Sequence, residues 1–331
     1  MLPFPSRRAP IIGERRSKSA WLTGDCEGLT RHTCRRVKTG LTRHIQCPRM
    51  ILSGSASQSL AATLADESNE PLGFVEYESF PDGELLATAP EFEGGRAVVV
   101  ASTVSSDAHL ELLQLQDAAR EWGAEEVVTV LPYMGYARQD RAFDRGHPIS
   151  ARAVARAIST GTDRVLTVNP HEEAICDFFD VPAESIDAAG RLAEPLPDDL
   201  TDPVFLSPDD GALDIAETVR DTYGDGVIDY FEKKRISGSE VEITPSDTDV
   251  TGRDVVVTDD IIATGSTMSE AVSLLQERDV GRVFVTCVHP MLARNARTKL
   301  AQAGVEAVFG TDTIERAVSQ VSVAPTIADA L

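Results

Sequence analysis

The segment with the clearest chemical potential runs from Val255 to Thr267 and reads VVVTDDIIATGST. Its β-branched run predicts a buried strand that ends in two carboxylates, Asp259 and Asp260, at the edge where parallel sheets bind ligands. The residues that follow form a turn that opens a helix and can aim amides and hydroxyls at a phosphate: Ala263, Thr264, Gly265, Ser266 and Thr267. We interpret these five residues as a phosphate cradle beside carboxylates suited to a polyol or a hydrated cation. The alternative is a strand-to-helix turn with an acidic N-cap.

Five arginines lie close together at positions 138, 141, 145, 152 and 156. The chain after Met50, which we call the body, is otherwise strongly acidic. A guanidinium group offers a planar fork to phosphates and stacks on a purine face. Arg138 and Gln139 are the better candidates for nucleotide contact. Arg152 and Arg156, four residues apart on a predicted helix, are expected to be solvated or ion-paired.

The sequence after Met50 contains three lysines, Lys233, Lys234 and Lys299. The first two lie in the segment EKKRIS at 232–237, between a predicted strand and the turn at Gly238. A basic loop in a chain that otherwise avoids lysine predicts charge neutralisation during phosphoryl transfer. The alternative is a solvated run of charges.

Two shorter loops also follow predicted strands. The segment NPHEE at 169–173 places His171 at a strand end. Two interpretations are open: His171 is a ligand of a metal or a phosphate, or it is structural. The segment SPDDG at 207–211 ends a strand and precedes a helix, which favours a loop for Mg²⁺ and a diphosphate around Asp209.

Alternating strands and helices must position these loops. Runs of β-branched residues predict strands at 96–100, 126–130, 164–168, 204–206, 227–230, 254–257 and 282–285. Amphipathic spacing predicts helices at 108–122, 149–159, about 212–222 and about 267–278. This alternation implies an α/β fold with a parallel sheet, and it occurs twice. The proline- and acid-rich stretch at 194–203 is the best internal boundary and predicts domains at 50–193 and 194–331.

Charge divides the chain at Met50. Residues 1–49 carry 11 basic and 3 acidic side chains, and the remaining residues carry 20 basic and 50 acidic ones. An acidic, lysine-poor surface suits the salt-rich interior of a halophilic cell, where a Debye length of about 3 Å at about 1 M salt screens the repulsion. Such a body is a poor partner for nucleic acid, which selects a basic face.

The first 49 residues lack any sustained period, and we expect them to be an added or disordered leader with Met50 as the natural first residue. They hold three of the five cysteines, Cys26, Cys34 and Cys47, whose spacing matches no standard zinc finger. No apolar run approaches the ~18 residues of a membrane helix. We therefore expect a cytoplasmic protein without a membrane partner.

Taken together, residues 50–331 resemble the ribose-phosphate pyrophosphokinase family, also called phosphoribosyl diphosphate synthases. The resemblance rests on five motifs in family order and implies two phosphoribosyltransferase-like domains in tandem, each a mainly parallel sheet flanked by helices. It also implies roles for named residues: adenine binding by Phe80, Asp82, Gly83 and Glu84; ATP binding by Arg138 and Gln139; Mg²⁺ binding by His171 and Asp209; catalysis by Lys233 and Arg235; and ribose 5-phosphate binding by Arg235, Asp259, Asp260 and the cradle residues.

The resemblance implies transfer of the diphosphate of Mg-ATP to C1 of ribose 5-phosphate, in a homo-oligomer whose Phe80 turn reaches a neighbouring subunit. Two segments depart from the family pattern: Glu172-Glu173-Ala174 after His171, and Asp-Asp-Gly-Ala at 209–212. The short KKRIS loop looks archaeal. Two alternatives remain open at this point, a nucleobase phosphoribosyltransferase and a catalytically silent nucleotide-binding regulatory subunit. Formation of AMP from ATP and ribose 5-phosphate distinguishes the family reaction from both alternatives.

Overall fold

The computed structural model describes residues 49–208, 210–235, 241–244 and 248–331, so all but the last residue of the predicted leader lies outside it. The first half contains seven strands and three α-helices within the described residues. In chain order they are β1 (Arg49–Ser53), α1 (Gln58–Ser68), β2 (Glu76–Ser79), β3 (Leu85–Thr88), β4 (Gly95–Val100), α2 (Ser106–Glu121), β5 (Ala124–Leu131), α3 (Ser150–Ser159), β6 (Arg164–Val168) and β7 (Ala183–Ile186).

Five of these strands form a parallel sheet in the order β1-β4-β5-β6-β7. Its central strands are valine-rich and buried along most of their length, as expected where helices cover both faces of a parallel sheet. The first strand begins at Arg49, which pairs with Arg96, so this residue of the predicted leader belongs to the sheet. Strands β2 and β3 form a separate antiparallel hairpin.

The second half repeats the strand–helix alternation. In chain order its elements are β8 (Val204–Ser207), α4 (Leu213–Tyr223), β9 (Val227–Tyr230), β10 (Glu232–Arg235), β11 (Val241–Thr244), β12 (Val255–Ile261), α5 (Ser266–Gln276), β13 (Val283–His289), α6 (Ala296–Gln302), β14 (Ala307–Thr311), β15 (Ser319–Val321) and α7 (Ala324–Ala330). Six strands form a parallel sheet in the order β15-β14-β13-β12-β8-β9, and β10 and β11 form an antiparallel hairpin.

The two halves share an apolar core. One buried cluster contains Leu60 and Val98 from the first half together with Phe284 and Ile327 from the second. The last helix, α7, packs against α1, so the end of the chain returns to the first half. Burial of this shared surface holds the carboxyl ends of the two sheets in a fixed relation.

The predicted fold class is confirmed: the structure is α/β, with two mainly parallel sheets flanked by helices. The predicted helix at 108–122 exists as α2. Its buried residues include Ala108, Leu112, Leu115 and Ala119, and Leu110 is 51% exposed. Strand β12 is longer than predicted because its pairing with β13 continues to Ile261. Within the described residues, no helix combines the length and apolar character that a membrane span requires.

Candidate active site

The carboxyl ends of the two sheets border one cavity of about 570 Å³. The first half contributes residues 138, 169–173, 185 and 187, and the second half contributes residues 211, 212, 214, 215, 218 and 259–268. The cavity therefore unites the carboxylate pair and the phosphate cradle with the loop of His171 and with Arg138. The sequence predicted these segments separately, and the packing of the two halves brings them together.

The phosphate cradle is a tight turn between β12 and α5. Gly265 has a φ of +69° and occupies the N-cap of α5, whose N-terminus has no side-chain cap. A Cβ at this position would lie 3.2 Å from the Cβ of Ala296, so both the backbone conformation and the close packing favour glycine. Thr264 and Ser266 are exposed to the cavity, and their hydroxyl oxygens lie 3.3 Å apart. Uncapped helix amides beside two hydroxyls can bind a phosphate.

The carboxylate pair lies beside the cradle at the end of β12. Asp260 Oδ2 accepts a hydrogen bond of 2.7 Å from Nδ1 of His171, which belongs to the opposite half. This hydrogen bond raises the pKa of His171 against the effect of burial. Burial opposes ionisation of Asp260, but the bond from His171 keeps the pKa of Asp260 below its usual value. Asp260 therefore presents an ionised carboxylate at neutral pH.

His289, at the end of β13, is buried and was not predicted from the sequence as a site residue. Its Nε2 lies 3.0 Å from the carbonyl oxygen of Asn169, and its Nδ1 lies 2.9 Å from Oγ1 of Thr313. Because a carbonyl only accepts, Nε2 carries the proton, and burial lowers the pKa of His289 so that the ring stays neutral. His289 thereby connects the second sheet to the loop of His171. One feature of the sequence could have drawn attention to His289: like Asn169, it is followed directly by a proline.

Arg138 lines the cavity and is exposed, whereas Gln139 does not line it. The Gln139 oxygen accepts a hydrogen bond of 2.6 Å from Ser150, and its Nε2 donates to the carbonyl of Pro148 at 3.3 Å. Gln139 thus supports the loop that leads into α3, and the structure places it behind Arg138 rather than in the cavity.

The turn of the β2–β3 hairpin carries the other predicted ATP residues, Phe80, Asp82, Gly83 and Glu84. Phe80 is 39% exposed, and none of the four residues lines the cavity of the same chain. The turn is closed by hydrogen bonds between the backbones of Phe80 and Glu84 and between Gly83 N–H and the Phe80 carbonyl. Within this chain, the structure does not bring the turn to the cradle.

The predicted catalytic residues Lys233 and Arg235 lie on β10, in the hairpin with β11. Their side chains fall outside the described part of the chain, and so does Asp209. Gly211 and Ala212, which follow Asp209, line the cavity. Among the described residues, no three His, Cys, Asp or Glu side chains cluster closely enough to hold a metal ion by themselves.

Comparisons with known proteins cover both halves. Residues 49–161 match the N-terminal domain of ribose phosphate pyrophosphokinase, and residues 180–326 match the phosphoribosyl transferase domain. A ribose-phosphate pyrophosphokinase from Halobacterium salinarum is 69% identical over 283 residues, which is 85% of this chain and 100% of the relative. The enzyme of the same name from Methanopyrus kandleri is 43% identical, covering 85% of this chain and 98% of the relative.

A solved structure gives the same result. The phosphoribosylpyrophosphate synthetase from Mycobacterium smegmatis superimposes with a TM-score of 0.74 at 29% identity, covering 86% of this chain and 97% of that chain. The relatives match the tandem domains along nearly their whole lengths, and the resemblance inferred from the motifs is confirmed. With both sheets, both domain matches and full-length relatives in agreement, the chain belongs to the ribose-phosphate pyrophosphokinase family.

Proposed function

We infer that this chain catalyses the family reaction: it transfers the β,γ-diphosphate of ATP to the C1 oxygen of ribose 5-phosphate, giving 5-phosphoribosyl 1-diphosphate and AMP. The observation that carries this inference is the single cavity of about 570 Å³ that unites the phosphate cradle of one half with Arg138 and His171 of the other. A phosphoribosyl acceptor and a nucleotide donor need two such adjoining subsites. Family membership supplies the reaction that joins them.

The acceptor occupies the second-half side of the cavity. The cradle, residues 263–267, binds the 5-phosphate through the amides of α5 and the hydroxyls of Thr264 and Ser266. Asp259 and Asp260 accept hydrogen bonds from the ribose hydroxyls. The bond from His171 supports this role because it keeps Asp260 ionised and fixes the orientation of its carboxylate. The ribose is thereby oriented with O1 towards the donor.

The donor occupies the side formed by the first half. Arg138 is exposed at the cavity and offers its fork to the ATP phosphates, while Gln139 acts through the loop that it supports. O1 of the ribose attacks the β-phosphorus in line, and the bond to the α,β-bridging oxygen breaks as AMP leaves. Lys233 and Arg235 stabilise the charge of this transition state. Phosphoryl transfer asks for positioning and charge stabilisation more than for covalent help.

His171 and Asp209 would hold the Mg²⁺ that accompanies ATP. The described donors fit such a role. Because Nδ1 of His171 is bonded to Asp260, Nε2 is the ring nitrogen that would be left for a ligand, and a carboxylate-oriented imidazole is a common metal-binding arrangement. Mg²⁺ usually keeps several waters and uses one or two protein ligands together with substrate phosphates, so a preformed cluster is not needed. When bound, the ion neutralises charge on the phosphates.

The Phe80 turn completes the ATP site of a neighbouring subunit, with Phe80 near adenine and Asp82 or Glu84 accepting from its amino group. Two observations support this arrangement: Phe80 is exposed, and the turn does not line the cavity of its own chain. A mixed oligomer of Lys233→Ala and Phe80→Ala subunits should then regain partial activity, because some sites combine two intact halves. No recovery in a verified mixed oligomer would rule out the shared site. A cytoplasmic location and the lack of a nucleic-acid partner stay predictions.

The experiment that tests the reaction is a coupled assay for AMP, with ATP and ribose 5-phosphate supplied together and separately, with and without Mg²⁺. We expect AMP only when both substrates and Mg²⁺ are present. ATP hydrolysis that is independent of ribose 5-phosphate would contradict the proposal. Binding of nucleotides without any turnover would indicate a regulatory subunit.

A further inference from the structure

A short segment of the second half forms the back of the phosphate cradle. Leu292 N–H donates to the carbonyl of Ile262, and Ala293 N–H donates to the carbonyl of Ala263, each at 2.8 Å. Ala296, the first residue of α6, is buried against Gly265. The backbone of the cradle is therefore held from behind by the turn that leads into α6.

The third lysine of the body, Lys299, lies one turn further along α6, on the same face as Ala296. Its Nζ donates a hydrogen bond of 2.6 Å to Oγ of Ser266, a cradle residue. An ammonium group can only donate, so the Ser266 oxygen is the acceptor and the Ser266 proton remains to be donated elsewhere. Ser266 is itself exposed at the cavity, so this proton can be offered to a ligand there.

The partner of Lys299 is unusual for this chain. After residue 49 the sequence has 50 acidic side chains and three lysines, yet within the described residues Lys299 contacts a hydroxyl and forms no ion pair with a carboxylate. A lysine that served only to tether α6 would be expected to pair with one of the many carboxylates. Its position beside the N-terminus of α5 instead adds a full positive charge where the helix dipole already favours an anion.

We propose that Lys299 is a positioning residue for the phosphate group of the sugar-phosphate substrate: it holds the Ser266 hydroxyl as a donor and brings a cation to the cradle. This inference rests on the proposed function, since it assigns a further residue to the ribose 5-phosphate subsite. The ligand is a phosphate monoester dianion, which a body with a large excess of carboxylates would otherwise repel. The local cation offsets that repulsion at the point where the phosphate binds.

The test compares Lys299→Met with Arg297→Met in the full chain. Both variants remove one positive charge from α6, but Arg297 is exposed and has no hydrogen bond to the cradle within the described residues. We expect Lys299→Met to raise the KM for ribose 5-phosphate about tenfold, the effect of one lost charged hydrogen bond. Its kcat and its KM for ATP should stay within about twofold of wild type, since the nucleotide binds elsewhere. Arg297→Met should leave all three constants unchanged.

Two further measurements exclude a merely structural role. Inorganic phosphate that competes with ribose 5-phosphate should lose affinity for Lys299→Met by about the same factor as the substrate. Lys299→Arg keeps the charge and should recover most of the lost affinity. If Lys299→Met fails to fold, Lys299→Gln removes the charge but retains a hydrogen-bond donor, and it is expected to raise the KM for ribose 5-phosphate by a smaller factor, because only the contribution of the charge is lost.

Each outcome decides between the two claims. An unchanged KM for ribose 5-phosphate in Lys299→Met or Lys299→Gln would overturn the role of Lys299 while leaving the reaction intact. Equal rises for ATP and ribose 5-phosphate would also overturn it, because they would show general damage. A wild-type chain that forms no AMP and does not bind ribose 5-phosphate by calorimetry would instead refute the proposed function.

Discussion

Helices α2 and α5 both follow a parallel strand and both begin at the carboxyl edge of a sheet, yet their N-termini are used differently. In α2 the side chain of Ser105 accepts a hydrogen bond of 3.1 Å from the backbone of Ala108, and Asp107 lies in the first turn. In α5 the N-cap is Gly265, without a side-chain cap, and the first turn has no acidic residue. The N-terminus of α2 is capped by a side chain, whereas that of α5 has no side-chain cap and is the proposed phosphate site.

Helix α1 extends the comparison across the two halves. Its first-turn amides, those of Ser59 and Leu60, donate to the carboxylate of Glu315 at 2.7 and 3.1 Å. Glu315 belongs to the second half, so the N-terminus of α1 is used to hold the halves together. The free amides at a helix N-terminus therefore stabilise the fold where an acceptor of the same chain bonds to them. They are available to a ligand where no such acceptor is present. Substitutions at a capped helix start should therefore change stability, and substitutions at the cradle should change substrate binding.

The largest effect is expected for Lys233→Ala. Lys233 is proposed to stabilise the charge of the transition state. Loss of one such donor lowers kcat by roughly 10²–10³. The KM values should change much less, because the lysine acts after both substrates are bound. Steady-state kinetics with each substrate varied will check this. A tenfold rise in KM with unchanged kcat would mean that Lys233 only binds substrate.

An intermediate effect is expected for Gly265→Ala, with Gly252→Ala as a matched control. The two glycines have φ values of +69° and +68°, but a Cβ at Gly265 would lie 3.2 Å from Ala296, whereas at Gly252 it would meet nothing within 4 Å. Both variants should lose about 1–2 kcal/mol of unfolding free energy to the left-handed conformation. Displacement of the cradle should raise the KM for ribose 5-phosphate about tenfold in Gly265→Ala alone.

Denaturant unfolding and substrate kinetics of the two variants will separate these contributions. An equal rise in KM for the Gly252 variant would show that strain anywhere in the domain impairs binding, and the role given to the cradle would fail. An unchanged KM for Gly265→Ala, with the expected loss of stability, would show that the cradle does not contact the substrate.

Much of this site could be predicted because its parts are local. The valine-rich run at 255–257 and the TGST turn at 264–267 define a strand, a turn and a helix start within a few residues. The hairpins β2–β3 and β10–β11 were not predicted as strands, because each strand is only four residues long and one strand of each hairpin, β2 or β10, is mostly polar or charged. The predicted turn at Phe80 is nevertheless the connection of the first hairpin.

Contacts between distant segments could not be predicted. His289 and Asn169 are 120 residues apart, His171 and Asp260 are 89 apart, and Lys299 and Ser266 are 33 apart. Each of these pairs depends on how helices and sheets pack, which a periodic pattern does not specify. The sequence therefore indicated which residue types carry the chemistry, and the packing of the two halves determined which of them meet.

The smallest effect is expected for Ser105→Ala. Removal of this cap should lower the free energy of unfolding by about 1 kcal/mol, the usual cost of losing a serine N-cap. The KM for ribose 5-phosphate should not change, because the N-terminus of α2 does not line the cavity. Thermal unfolding and kinetics on the same preparation will measure both. A raised KM without a loss of stability would place α2 in the substrate site and break the contrast with α5.

We propose that the cavity between the two sheets directs a diphosphate to C1 of a ribose phosphate held in the cradle. Phosphorus NMR of the enzyme with Mg-ATP and ribose 5-phosphate tests it most directly, because the spectrum identifies the products rather than their rate of formation. We expect resonances of a C1-linked diphosphate and of AMP, growing in equal amounts while the 5-phosphate resonance persists. Formation of ADP with a ribose bisphosphate, or of free diphosphate without a C1 ester, would contradict it.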